Sequence, residues 1–117
     1  MKIKINKDFF DFNAKICTEL EKAKGLMFTR REKAQTLIFD FPGGAKAKIH
    51  SLFVFFPFFA IWLDDKNRVI FIRKIKPFMF SASPGKKFSR LIEIPENEKY
   101  KRVIEKILSK NPVDKKV

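Results

Sequence analysis

The run Leu52-Phe53-Val54-Phe55-Phe56-Pro57-Phe58-Phe59-Ala60-Ile61-Trp62-Leu63 is the longest apolar stretch of the chain. A helix spanning a bilayer needs about 20 apolar residues, so this shorter run, with a proline inside it, does not cross a membrane. It reads as two near-continuous apolar strands, Leu52 to Phe56 and Phe58 to Leu63, covered on both faces and separated by a bulge or sheet switch at Pro57. Asp64-Asp65-Lys66-Asn67 then supplies turn residues, and Arg68 to Lys76 and Arg90 to Ile94 are further strands.

Upstream of this run, Gln35 to Phe41 is a buried strand, and Pro42-Gly43-Gly44 is expected to turn the chain back through Ala45 to His50. Near the start, Lys2 to Ile5 and Asn13 to Thr18 alternate like short strands, joined through Asp8 and Asp11. Thr18-Glu19-Leu20-Glu21 is a capping-box pattern, in which hydroxyl and carboxylate each satisfy an orphaned N–H, and Gly25 ends the short helix. After Pro95, Tyr100, Val103, Ile104, Ile107 and Leu108 recur at helical spacing, which predicts an amphipathic C-terminal helix packed on the domain. The expected architecture is mainly β with two helices, a jelly-roll-like sandwich or barrel in a single domain over residues 1–110, with a flexible tail over 111–117.

The chain has 117 residues, enough for one core, and its 26 Lys and Arg against 13 Asp and Glu give a net charge of +13. A field of that sign favours an anionic partner, nucleic acid or another anionic macromolecule. Lysine greatly outnumbers arginine, which makes the excess a point-charge surface rather than a device for bidentate reading of bases. Arg30 and Arg31, together with Lys86, Lys87 and Arg90 around the Pro77 to Phe88 loop, are the candidate anion-binding residues.

One cysteine, Cys17, allows no intrachain disulfide, and the N-terminal alternation Met1 to Lys7 lacks the apolar run of a secretory signal, so a cytoplasmic location is expected. Cys17 and the single histidine, His50, cannot assemble an ordinary His/Cys metal set, and neither a metal nor a cofactor is expected. His50 is a weak catalytic candidate as a general base, with Asp64 as a conceivable orienting partner. The bland alternatives are a strand-end histidine bonded to backbone and an aspartate that initiates a hairpin. Ser83-Pro84-Gly85-Lys86-Lys87 suggests a phosphate loop, but Phe80 and Lys87 stand where the nucleotide pattern needs Gly and Ser or Thr.

Gly25-Leu26-Met27-Phe28, then Leu37-Ile38-Phe39-Asp40-Phe41, Ile49-His50, Phe53-Val54-Phe55-Phe56-Pro57, Trp62-Leu63-Asp64, Arg68-Val69, Lys76-Pro77 and Leu91-Ile92-Glu93-Ile94-Pro95 follow one another in an order that resembles domain-of-unknown-function family 192, in an archaeal-type member. The resemblance runs from about Asn13 to Pro95. It implies a small jelly-roll-like β domain with no established activity. Many members of that family carry a polar Lys-Asn-Thr cluster before the central proline and an acidic residue two places after it. Here Leu52, Phe53 and Val54 occupy the first place and Phe59 the second, and the usual Gly-Asp segment near the C-terminus gives way to the helix after Pro95.

The leading expectation is a non-enzymatic binding module with a basic surface. The alternative is a small-molecule or carbohydrate-processing domain with a pocket near His50 and Asp64.

Overall fold

Two long strands, Thr36–Ala45 with ten residues and Phe88–Pro95 with eight, form the spine of the molecule, seen in a computed structural model that describes residues 1–79 and 81–111. The strands in chain order are β1 (Lys2–Ile5), β2 (Asp8–Asp11), β3 (Ala14–Ile16), β4 (Thr36–Ala45), β5 (Phe58–Leu63), β6 (Val69–Ile75) and β7 (Phe88–Pro95). Helix α1 (Glu19–Lys24) follows β3, and helix α2 (Lys101–Lys110) follows β7. Five strands pair in the order β3-β4-β7-β5-β6, while β1 and β2 form a separate hairpin. The mainly β architecture with two helices is thus the one the sequence leads to.

Strand alternation divides this sheet's residues between two cores. Phe58, Ala60 and Trp62 of β5 join Leu37 and Phe39 of β4 and Leu91 of β7 on one face. Phe59, Ile61 and Leu63 join Ile38, Ile92 and Ile94 on the other, beneath the β1–β2 hairpin and α2. Every residue of β5 is buried, as expected for a strand covered on both faces. Ile104 and Ile107 carry α2 onto the second core, and the Tyr100 hydroxyl accepts from Thr36 N (2.9 Å) and donates to Asn13 O (2.7 Å).

Local chemistry accounts for the element ends. Thr18 caps α1 in a full capping box: Glu21 N donates to Thr18 Oγ1 (3.3 Å) and Thr18 N to Glu21 Oε1 (2.9 Å). Gly25 ends the helix at φ +54°, a conformation that favours glycine. Asp64 accepts from Lys66 N and Arg68 N (both 2.9 Å) and from Arg68 Nε (2.7 Å), which fixes the β5–β6 turn and holds its carboxyl below the usual range, these hydrogen bonds outweighing desolvation.

Three expectations need correction. Asp8 to Asp11 is a strand rather than a connector, because Asn6 at φ +57° turns the chain tightly enough for Ile5 to face Asp8. Pro42-Gly43-Gly44 does not reverse the chain: Gly43 (φ +82°) and Gly44 (φ +87°) absorb an irregularity between Asp40 and Ala45, and β4 continues alongside β7, with Ala45 opposite Phe88. The return strand expected from Ala45 to His50 is therefore absent, leaving only a bridge between Ile49 and Ala82. Leu52 to Phe56 is not a strand either; it is a turn-rich segment that buries Val54 and Phe56 and exposes Phe53 and Phe55. Most of the expected tail lies outside the described residues.

Candidate functional site

Glu93 stands inside an otherwise apolar stretch, Leu91-Ile92-Glu93-Ile94-Pro95, on the central strand of the sheet. Its neighbours across the ladders are Leu37 on β4 and Ala60 on β5. Alternation sends Glu93 to the same face as Leu91, and the small Ala60 leaves room beside it. Above it lies the end of α1: a Cβ added to Gly25 would stand 3.7 Å from Glu93 Oε1. Glu93 is 6% exposed, and it forms no hydrogen bond or ion pair among the described residues. Burial pushes its carboxyl up to about 8, so at neutral pH it is mainly the protonated acid. It is the only carboxylate or amine side chain buried among the described residues.

The carboxyl lines a cavity of about 410 Å³ between the sheet, α1 and the 47–54 segment. Phe39, Phe58 and Val54 supply apolar wall, while Lys24, Lys48 and His50 stand at its edge. Lys22, also at the edge, is tied to Glu19 Oε1 (2.8 Å) and to the Asp40 carbonyl, with its ammonium 4.6 Å from the Phe41 ring centroid. His50 Nδ1 accepts from Leu52 N (3.3 Å), which in the neutral ring leaves the proton on Nε2 as a donor. A half-open concavity with apolar walls, one buried carboxyl at its floor and charged side chains at its rim has the general build of a small-molecule site.

A larger depression, about 650 Å³, separates the Arg31 region from the start of α2. Of its four glutamates, Glu96 is shared between Arg31 (3.5 Å) and Lys74 (2.8 Å) and Glu32 pairs with Arg30 (3.1 Å), while none of the four is buried. Among the described residues, no group of three or more His, Cys, Asp or Glu side chains stands ready to hold a metal. Burial is the first cause that pushes the Cys17 thiol up to about 11, which leaves little thiolate at neutral pH.

The residues singled out by sequence fall in different places. His50 reaches the cavity, but Asp64 lies beyond the far end of β5, roughly 20 Å along the strand from Phe58 at about 3.3 Å per residue. Arg30 pairs with Glu32 (3.1 Å), and Arg31 donates to the Glu96 carbonyl (2.7 Å). Arg90 grips Asp40 with two bonds (2.6 and 3.3 Å), so its charge is largely answered. Lys86 and Lys87 are exposed on the loop before β7. Sequence reasoning missed Glu93, although an acid flanked by isoleucines in a strand covered on both faces was the available signal.

A family profile described as DUF192, Uncharacterized ACR, matches residues 2–106. A crystal structure of a protein of unknown function from Novosphingobium aromaticivorans DSM 12444 is similar at 21% identity and TM-score 0.68, covering 87% of this chain and 75% of that one. A crystal structure of a protein named as a candidate transcription regulator from Sinorhizobium meliloti 1021 is similar at 16% identity and TM-score 0.69, covering 87% and 81%. No curated protein matches the chain. At these identities the structural likeness speaks to the fold, while the profile spans nearly the whole sequence: the chain belongs to the uncharacterised DUF192 family.

Proposed function

We propose that this domain is a non-enzymatic binding module whose ligand is a small molecule seated in the cavity over Glu93. The observation that carries the reading is Glu93, a buried residue whose carboxyl opens on the cavity without a hydrogen-bond partner among the described residues, since a polar group so placed costs stability unless something serves it. A protonated carboxyl both donates and accepts, so it suits a hydroxyl or amide group. The lysines at the edge disfavour a cationic ligand. The expected class is therefore a neutral or anionic, hydroxyl- or amide-bearing molecule, carbohydrates included. No second titratable group is bonded to Glu93 among the described residues, which argues for binding over acid–base catalysis.

An NMR titration with a panel of sugars and small amides tests this. Shifts are expected at Gly25, Leu26, Val54 and Glu93, and Ala47→Trp, placed at an exposed lining position, should abolish them. Shifts that survive Ala47→Trp, or none at all, would contradict it.

A second reading, a basic face for an anionic partner, is favoured by one feature. The segments 22–31, 41–63 and 66–92 carry lysine and arginine and not one aspartate or glutamate. Arg30, Arg31, Lys86, Lys87 and Arg90 are its proposed contacts, with Arg31 and Arg90 weakened by their carboxylate partners.

A further inference from the structure

Four phenylalanines stand in solvent on one patch: Phe28 (65% exposed), Phe53 (49%), Phe55 (58%) and Phe78 (55%). Phe28 stacks on Phe53 with centroids 5.1 Å apart and lies 6.5 Å from Phe55, which meets Phe78 edge-on at 5.7 Å. Solitary exposed apolar residues need no explanation, but a contiguous aromatic cluster marks a contact surface.

The backbone is arranged to hold it there. Phe28 (φ +59°) and Phe78 (φ +63°) occupy the left-handed region, strained for bulky side chains. Phe28 N donates to Phe53 O (2.9 Å) and Phe78 N to Ser51 O (2.7 Å). The fully buried Ser51 joins the two loops further: its hydroxyl donates to Lys76 O (2.6 Å) and accepts from Met79 N (2.7 Å). Strain maintained in two loops that are both bonded to the 51–53 segment describes a surface built for use.

We propose that this aromatic patch docks the protein on an anionic lipid surface, with the phenylalanines entering the interface and the surrounding lysines meeting the headgroups. The proposal deepens the second reading above and rests on it. Charge complementarity points to the occupant: the patch arises from the three acid-free segments, which also carry Arg30, Lys48 and Lys76, on a chain of net charge +13. A second copy of the chain would oppose like charges. Protein hot spots favour Trp, Tyr and Arg, whereas this patch offers Phe. Bases stacking along a single strand need a row of open ring faces, whereas Phe28 and Phe53 each turn one face to the other. Phenylalanine with mobile lysine suits a fluid headgroup layer that imposes no fixed hydrogen-bond geometry.

Co-sedimentation of the full chain with phosphatidylcholine vesicles, against vesicles containing phosphatidylglycerol, tests the proposal. Binding is expected only to the anionic vesicles, weakened by salt, and reduced about tenfold or more in the Phe53→Ser, Phe55→Ser double variant. An unchanged unfolding curve for that variant confirms that it folds. Equal binding to both vesicle types, or full binding by the double variant, overturns the proposal. Phe-dependent binding of polyuridylate without vesicle binding overturns it while leaving the anionic-partner reading standing. Failure to bind either probe at low salt overturns both.

Discussion

The two faces of one sheet have been put to opposite uses. Under the β1–β2 hairpin and α2, Ile38, Ile61, Ile92, Ile94, Ile104 and Ile107 pack with Leu63 and Tyr100 into a closed apolar layer. On the opposite face the same strands present Glu93 to a cavity of about 410 Å³, roofed by a helix end and a loop rather than by a full element. Neighbouring residues on β7, Ile92 and Glu93, belong to different worlds: one stabilises, and the other is tolerated at a cost. The cavity face also carries its own core, with Trp62, Phe56, Phe58 and Phe88 fully buried, and together the two cores allow one unmet polar group and strained loops within a marginal total.

The largest expected effect probes the cavity face. Glu93 has an ordinary value of 4.5 when unfolded and about 8 when folded. Below 4.5 both states hold the proton; between 4.5 and 8 the folded state holds a proton that the unfolded state lacks. Stability therefore falls as pH rises through that window and levels off above it, by about 5 kcal/mol in all at about 1.4 kcal/mol per pKa unit. Urea unfolding across this range should show the decline in the natural chain and a much flatter profile in Glu93→Gln. Glu21 does not confuse the result: Lys15 and the Thr18 backbone hold it down to about 2, so its contribution changes only in acid.

The next effect probes the closed face. Ile92→Ala should cost about 2–5 kcal/mol at every pH in the same urea experiment, because a packed layer cannot refill the space. A loss well below 1 kcal/mol would mean that this face is as open as the other, and the contrast would fail.

What the sequence made legible follows the same division. β5, the Asp64 turn, the Thr18 capping box and the Tyr100 to Leu108 helix could be read because each depends on residues close in the chain. Pro42-Gly43-Gly44 misled because the residues that make a turn also make a bulge, and the decision rests with pairing to Phe88, far along the chain. Leu52 to Phe56 misled because hydrophobicity signals burial, whereas Phe53 and Phe55 were left outside. The site was the least legible part. Gly25, His50 and Glu93 meet only after the sheet forms, and Asp64, suggested by its place near the same apolar run, belongs to a turn at the other end of β5.

Carbon-detected NMR of the Glu93 side-chain carboxyl, followed through a pH titration of the ligand-free protein, addresses the contrast at its source. A midpoint near 8 is expected, set by burial without a partner. A midpoint near the ordinary 4.5 would show a solvated or paired carboxylate, and the case for a built ligand cavity on this face would be lost.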